Sequence, residues 1–214
     1  MDIRAENVSI QYFRKSGESN VFNAVHQVSL SLEAGTMTVV TGRSGSGKTT
    51  LLHIMSGLLA PGEGKVYLDG TDLYALNDLE LSRLRNRRIC VIPQARSAVD
   101  SLTVLENVML PGMLYGEKED RGAALGWLEQ MGILSLRDDR PAALSGGELR
   151  RMAIARALAR NGDILMADEP TGDLDDENTE LVRSVLRAAA DGGKTVLLSP
   201  AKTKRCSMPT VSFG

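Results

Sequence analysis

Apolar and polar residues alternate in two stretches near the N-terminus, as they do in β-strands that bury one face. The alternation covers residues 7–12 and 28–32, on either side of a polar segment at 14–20. Its apolar members are Val8, Ile10, Tyr12, Val28, Leu30 and Leu32. The pattern predicts two antiparallel strands around a polar loop. Residues 66–70 add a hairpin that turns at Asp69-Gly70.

Mostly apolar runs later in the chain predict buried strands of a parallel sheet. They comprise residues 37–40, 89–92, 164–167 and 195–198. The run at 195–198 is the last clear strand, and the tail at 202–214 is expected to lack a further strand or helix. With the helices described next, these runs predict an α/β fold with a mainly parallel sheet and an N-terminal antiparallel β subdomain.

Apolar spacing with a period near 3.6 residues predicts four long helices, at 51–59, 76–88, 149–160 and 177–190. Pro61-Gly62 is expected to end the first of them.

Residues 95–141 differ in character, because glycines interrupt them and only short helices, at 102–110 and 123–131, fit the spacing. We interpret this stretch as an inserted α-helical subdomain within a chain that forms a single domain. The expected units are antiparallel β plus core (1–94), helical subdomain (95–150), and the remainder of the core with a short tail (151–214).

A glycine-rich motif between the run at 37–40 and the first helix predicts a nucleotide-phosphate cradle. Residues 42–50 fit G-x-x-x-x-G-K-[ST] in a strand-to-helix context. The glycines allow backbone N–H groups to converge on phosphate oxygens at a helix N-terminus. Lys48 is expected to reach the β and γ phosphates of a nucleoside triphosphate, and the hydroxyl of Thr49 to bind Mg²⁺. The predicted nucleotide-binding residues are Gly42, Arg43, Ser44, Gly45, Ser46, Gly47, Lys48, Thr49 and Thr50.

Tyr12 precedes this cradle, and two interpretations of it stand. It is either a half-buried aromatic residue of a strand or a platform on which the adenine ring stacks.

The segment Leu144-Ser145-Gly146-Gly147-Glu148 opens a strong helix and also permits two interpretations. Ser145 and Glu148 have the spacing of a capping box, which would make this a well-capped helix and nothing more. Alternatively, Ser-Gly-Gly at a helix N-terminus forms an anion site, because glycines leave the N–H groups uncovered.

Two carboxylates, Asp168 and Glu169, follow the apolar run at 164–167. Open α/β sheets bind ligands at the carboxyl ends of their strands. We therefore expect Asp168 to ligate Mg²⁺ through water and Glu169 to act as general base toward an attacking water.

Bulk composition excludes several classes of protein. Lys+Arg number 25 and Asp+Glu 27, so the net charge is −2 and no general nucleic-acid binding is expected. Cys90 and Cys206 lack metal-ligand spacing, which favours a reduced cytosolic compartment. The charged N-terminal residues 1–6 do not resemble a secretion segment, and no apolar run approaches the roughly 18 residues that span a bilayer. At a membrane, another chain would have to hold this one.

Taken in order, these motifs resemble those of an ATP-binding-cassette (ABC) ATPase along nearly the whole chain. The resembling motifs are Walker A at 42–50, the Q-loop at Gln94, the signature at 144–148, Walker B with its glutamate at 164–169, and the D-loop at 173–175. The signature discriminates, since other P-loop classes lack it. The segments at 14–24, 102–108, 153–158 and 168–172 are similar to the bacterial branch that serves lipoprotein release, macrolide and peptide export, and cell division.

The resemblance implies that two such chains pack head to tail, as a homodimer or heterodimer, with ATP and Mg²⁺ between them. It places Lys48, Gln94 and Glu169 in catalysis, and Gln94 beside Thr49 and Asp168 at the metal. The residues supplied in trans by the dimer partner would be Ser145, Gly146, Gly147 and Asp173. A groove of the helical subdomain would receive a coupling helix from a transmembrane permease subunit. The chain would then lie on the cytoplasmic face of the cell membrane.

One position departs from the family pattern. The family has a histidine after the last core strand, and this chain has Ala201 there. Alanine cannot form that contact to the γ-phosphate, and losing one such contact costs about 100- to 1000-fold in rate. Lys202 or Lys204 could supply only a point charge.

Two functions are therefore expected. The first is the ATPase subunit that powers an export-type membrane transporter, and the second is an ATP-gated regulatory or scaffolding module with little turnover. DNA-repair relatives would require a long coiled coil, which the region at 95–141 is too short to supply. Translation-factor relatives carry two cassettes per chain, whereas this chain has one P-loop.

Overall fold

The strands and helices follow the predicted α/β order in the computed structural model, which describes residues 2–13, 21–115, 120–200 and 210–213. The strands are β1 (Ile3–Phe13), β2 (Val21–Leu32), β3 (Met37–Gly42), β4 (Glu63–Leu68), β5 (Thr71–Asp72), β6 (Ile89–Ile92), β7 (Ile164–Asp168), β8 (Thr195–Ser199) and β9 (Thr210–Phe213). The α-helices are α1 (Lys48–Met55), α2 (Asp78–Arg88), α3 (Val104–Met113), α4 (Arg121–Gln130), α5 (Gly146–Ala159) and α6 (Asp176–Asp191). None of these helices is both long and apolar enough to cross a membrane.

The N-terminal alternation forms an antiparallel sheet in the order β2-β1-β4-β5. In β1 the pattern changes phase, because Ile3 and Ala5 are buried and the next buried residue is Val8. The register of β1 against β2 shifts between Ala5 and Val8, and Asn7 has φ of 48°. Such a bulge inserts one residue and moves the following side chains to the other face.

The apolar runs form a second sheet, with strand order β6-β7-β8-β3-β9 and every pair parallel. Strands β3, β6, β7 and β8 are largely buried on both faces, as continuous apolar runs predict. In β7, for example, Leu165 and Ala167 pack into a core with the helices of the insertion, whereas Ile164 and Met166 pack into a core with α1 and the antiparallel sheet. The fold class is therefore confirmed.

The prediction that the tail lacks a further strand was wrong. Strand β9 pairs in parallel with β3, with Val39 opposite Thr210 and Gly42 opposite Phe213. A run of only four residues is too short for periodicity to reveal, and its pairing with β3 is a long-range contact. Ala201, Lys202 and Lys204 lie outside the described residues.

The first helix also ends earlier than expected. Its last residue is Met55, whereas the pattern predicted a helix over 51–59 that Pro61-Gly62 would end. Gly57 has φ of 73°, and the N–H of Leu58 donates to the carbonyl of His53. A left-handed glycine just past the last turn is a common helix stop, and it acts here before the proline.

The insertion between β6 and β7 holds α3, α4 and α5, which pack against one another. Asn107 of α3 is fully buried, and its amide donates to the carbonyls of Val99, Leu102 and Thr103. The segment that leads from β6 into the insertion is thereby attached to α3.

Candidate active site

The glycine-rich loop joins β3 to α1 in a conformation that requires glycine. Gly47 has φ of 96° and lies at the N-cap position of α1, where no side chain caps the helix. A Cβ on Gly47 would lie 1.9 Å from the carbonyl oxygen of Ala24. The first turn of α1 therefore keeps its N–H donors open toward an anion.

Lys48 places its ammonium at the mouth of this loop. Its Nζ donates to the carbonyl oxygens of Gly42 and Arg43, at 2.9 Å each. Ser46 Oγ is buried and has no hydrogen-bond partner among the described residues. A positive charge, a free hydroxyl and an uncapped helix N-terminus together fit a phosphate chain.

Thr49 and Asp168 meet across 119 residues of sequence, because α1 and β7 bring them to the same end of the parallel sheet. Thr49 Oγ1 donates to Asp168 Oδ2 at 2.6 Å. Asp168 is only 2% exposed, and its Oδ1 has no partner among the described residues. A buried carboxylate oxygen without a partner is costly unless a cation or water reaches it. A hydroxyl and a carboxylate are the hard oxygen ligands that Mg²⁺ prefers, so these residues fit Mg²⁺.

Glu169 is held beside Asp168 and directed toward Gln94. Gln94 Nε2 donates to Glu169 Oε2 at 2.9 Å. The N–H of Glu169 donates to the carbonyl of Ser199, at the end of β8, at 2.7 Å. Glu169 has φ of 47°, a left-handed conformation that costs about 1–2 kcal/mol in a residue other than glycine. Strained backbone of this kind is concentrated at functional sites.

The signature segment forms the predicted capping box at the start of α5. Ser145 Oγ accepts from the N–H of Glu148 at 3.3 Å, and Glu148 Oε2 accepts from the N–H of Ser145 at 2.7 Å. The bonds from Ser145 lower the pKa of the Glu148 carboxyl below its ordinary value. A Cβ on Gly147 would lie 3.9 Å from the carbonyl oxygen of Asp173, so the signature and the D-loop are neighbours within one chain.

The predicted residues thus form two groups and one outlying residue. The first group comprises the P-loop, Gln94, Asp168 and Glu169, and the second comprises the signature with Asp173. Tyr12 lies near the end of β1 opposite Phe22, and it is 43% exposed. Its role as an adenine platform stays a prediction.

Sequence reasoning missed Arg150 of α5. It is 7% exposed, and it donates to the backbone carbonyls of Pro93 and Gln94. A signal was present, because Arg150 has helical spacing with Ile154, Ala157 and Leu158, which are all buried.

A groove of about 300 Å³ lies between α2, α3, α5 and β6. Leu58, Leu114 and Tyr115 line it and are 50%, 69% and 39% exposed. Arg85 adds a cation to its wall. Large apolar side chains clustered at the surface mark interaction sites.

A family model described as ABC transporter matches residues 25–172 of this sequence. The match includes the P-loop, the signature and the Asp168-Glu169 pair, and it covers more than half of the chain. The chain belongs to the ABC transporter family. It is one of the ATP-binding cassettes of that family, which are P-loop ATPases, and the fold described above is that of such a cassette.

Individual relatives agree with this assignment. The lipoprotein-releasing system ATP-binding protein LolD of Bdellovibrio bacteriovorus is 42% identical over 185 residues, which cover 86% of this chain and 83% of that protein. The macrolide export ATP-binding/permease protein MacB of Neisseria gonorrhoeae is 38% identical over 92% of this chain, which corresponds to 30% of that protein. The dimeric structure of the bacterial ABC transporter cassette MJ0796 has a TM-score of 0.85 and 35% identity, covering 94% of this chain and 88% of that one. The branch indicated by the sequence motifs is confirmed.

Proposed function

We propose that this cassette binds Mg·ATP, hydrolyses ATP in a head-to-tail dimer, and thereby powers an export-type membrane transporter. The observation that carries the proposal is the pair of contacts at one end of the parallel sheet, Thr49 to Asp168 and Gln94 to Glu169. One contact prepares a metal site and the other a general base. The names of two relatives, one from a lipoprotein-releasing system and one a macrolide export protein, support an export-type role.

Each residue of the first group has a defined task in this proposal. The P-loop from Gly42 to Thr50 holds the phosphates, and Lys48 exchanges its bonds to loop carbonyls for bonds to phosphate oxygens. Thr49 and Asp168 would hold Mg²⁺, which would supply positive charge beside the transferring phosphoryl group. Glu169 orients and deprotonates the attacking water, and the amide of Gln94 fixes the carboxylate of Glu169.

The second group completes the site of another copy. In the proposed dimer, Ser145, Gly146, Gly147 and Asp173 of the partner close over the γ-phosphate. The proximity of Gly147 to Asp173 supports their joint action. That the cassette MJ0796 forms dimers supports the same arrangement.

A transmembrane permease subunit is the proposed partner of the groove between α2 and α3. Exposed Leu58, Leu114 and Tyr115 suit the apolar side of a short helix from that subunit. In MacB of Neisseria gonorrhoeae an ATP-binding part and a permease belong to the same protein, which supports such a partner here. The cassette would then sit on the cytoplasmic face of the cell membrane through its partner.

Charge at the groove provides a test of this docking. Leu114→Asp should abolish co-purification with the permease encoded for the same transporter, because it introduces a charge at an apolar contact. Leu79→Asp is the matched control, since Leu79 is 57% exposed on α2 and does not line the groove. Equal retention of the permease by both variants would exclude this groove as the docking site.

The residue at position 201, alanine, affects the rate of ATP hydrolysis that we expect of the isolated cassette. Without the histidine that the family has at this position, we propose that hydrolysis is slow in the isolated protein while ATP binding persists. The regulatory module with little turnover is the competing proposal, and the same position favours it. Both proposals share the ATP site and differ in the rate at which phosphate is released.

A single-turnover experiment separates the two. Phosphate release from Mg·ATP is measured at high protein concentration for the unaltered chain, Ala201→His and Glu169→Gln. We expect the unaltered chain to exceed Glu169→Gln by about 100-fold or more, since general-base catalysis contributes about 10²- to 10⁴-fold. Release by the unaltered chain no faster than by Glu169→Gln, together with a gain in Ala201→His, would establish an ATP-gated clamp instead. Equal release by all three variants would overturn the role of Glu169.

A further inference from the structure

The signature helix is tied to the turn that carries Gln94 by one buried side chain. Arg150, one turn into α5, donates from Nη1 to the carbonyl oxygen of Pro93 at 2.5 Å and from Nη2 to that of Gln94 at 2.9 Å. Fifty-six residues separate Arg150 from Gln94 in sequence. The two nitrogens of the planar guanidinium thus hold two successive carbonyls, a geometry that lysine cannot reproduce.

Burial gives this contact its rigidity. Arg150 is 7% exposed, so water cannot readily replace the carbonyls as acceptors of its donors. If the turn moved away, a buried charge would lose its hydrogen-bond partners, which is strongly unfavourable. The backbone at Pro93 and Gln94 must therefore follow α5 when that helix moves.

The same turn positions the proposed general base. The side chain of Gln94, whose backbone carbonyl Arg150 holds, donates to Glu169 Oε2 at 2.9 Å. A continuous series of hydrogen bonds therefore runs from α5 through Arg150 and Gln94 to Glu169. The N-terminus of that helix is the signature segment that starts at Ser145.

We propose that Arg150 is a positioning residue that couples the placement of the signature helix to the orientation of Gln94 and Glu169 in the same chain. The proposal rests on the function proposed above. When the signature of one copy closes on the ATP of another, Arg150 transmits the displacement of α5 to its own general base. Each copy then hydrolyses ATP only while its own signature is engaged.

A double-mutant cycle tests this coupling, with single-turnover phosphate release at saturating Mg·ATP and ATP affinity as the two measurements. Arg150→Met should lower release by about 10- to 100-fold with little change in ATP affinity, because small misplacements of a catalytic group have effects of this size. Gln94→Ala should do the same. The double variant should be no slower than Gln94→Ala alone, since both changes interrupt one series of contacts.

A purely structural role gives different results. Arg156→Met is the matched control, because Arg156 lies on the same helix and donates to the carbonyl of Ser97 instead of the turn at Gln94. It should lose stability to urea like Arg150→Met and keep its rate of release within about twofold. Arg150→Lys, which keeps the charge and loses the paired geometry, should be intermediate, and it serves as the test variant if Arg150→Met does not fold.

The outcomes separate the two proposals. The role of Arg150 would be overturned if the losses in release rate multiplied in the double variant, or if Arg150→Met and Arg156→Met lost equal amounts. The proposed function would be unaffected by either result. Unchanged release in Gln94→Ala and in Glu169→Gln would overturn the proposed function itself.

Discussion

Two helices of this cassette begin in opposite ways, although both N-termini are proposed to face a γ-phosphate. Helix α1 follows Gly47 and has no side-chain cap. Helix α5 has a complete capping box, in which Ser145 Oγ also donates to Glu148 Oε2 at 2.7 Å. The first N-terminus is open toward an anion, whereas at the second the Ser145 hydroxyl is already engaged within the chain.

This difference predicts an order of assembly. The P-loop can bind phosphate without breaking a side-chain cap, so ATP should bind to single copies first. The hydroxyl of Ser145 must leave Glu148 before it can contact a phosphate on another copy. The signature should therefore add little to the affinity of a single copy for ATP and much to the rate of hydrolysis.

The largest effect is expected from a substitution that obstructs the open N-terminus of α1. In Gly47→Ala the added methyl meets the Ala24 carbonyl and the left-handed φ disfavours alanine, so the loop must change shape. Losing two charge-assisted hydrogen bonds to phosphate costs about 3 kcal/mol or more, which is about 100-fold or more in ATP affinity. Isothermal titration calorimetry with Mg·ATP measures this loss.

Gly70→Ala is the control for that variant. Gly70, in the turn between β4 and β5, also has positive φ, at 83°, but a Cβ there would meet nothing within 4 Å. This variant should lose only about 1–2 kcal/mol of stability, because alanine disfavours the left-handed conformation, and it should keep most of its ATP affinity. If both variants bound ATP equally, the close approach of Gly47 to Ala24 would not be required for ATP binding.

The strand, glycine-rich loop and helix around Lys48 could be predicted from the sequence because the information for them is local. A glycine pattern, Lys48 and Thr49 follow one another in the chain, and apolar runs place the strands around them. The remainder depends on contacts between distant segments. Neither the pairing of β9 with β3 nor the hydrogen bonds from Arg150 to the Gln94 turn have a local signature in the sequence. The helical spacing of Arg150 indicates that it is buried, but it does not reveal which residues it contacts.

A smaller effect is expected at the capped N-terminus. Ser145→Ala removes the cap and should lower the free energy of unfolding by about 1 kcal/mol. It should also slow single-turnover phosphate release by about 100-fold, as loss of one donor to a transition-state oxygen does, with ATP affinity nearly unchanged. Urea unfolding and phosphate release measure the two quantities separately.

Helix α3 offers a matched control, because Thr103 and Glu106 form the same capping box as Ser145 and Glu148. Thr103→Ala should destabilise the protein to a similar degree and leave the rate of release within about twofold. Equal slowing by both variants would show that the loss in Ser145→Ala is one of stability and would remove Ser145 from the site.

The smallest expected effect is on the pH dependence of stability, to which the capped N-termini of α5 and α3 contribute and that of α1 does not. Hydrogen bonds from Ser145 and Thr103 lower the pKa values of Glu148 and Glu106 from the ordinary 4.5, whereas α1 has no acidic residue in its first turn. A carboxyl with a lowered pKa in the folded state stabilises the protein above its unfolded value, and this contribution is lost as pH falls through the folded value. The urea midpoint should therefore decline below about pH 4.5. In Glu148→Gln the decline should be shallower, because glutamine keeps the capping box without titrating. An unchanged slope would mean that the caps of α5 and α3 do not contribute to acid sensitivity, and that the two kinds of helix N-terminus differ in geometry alone.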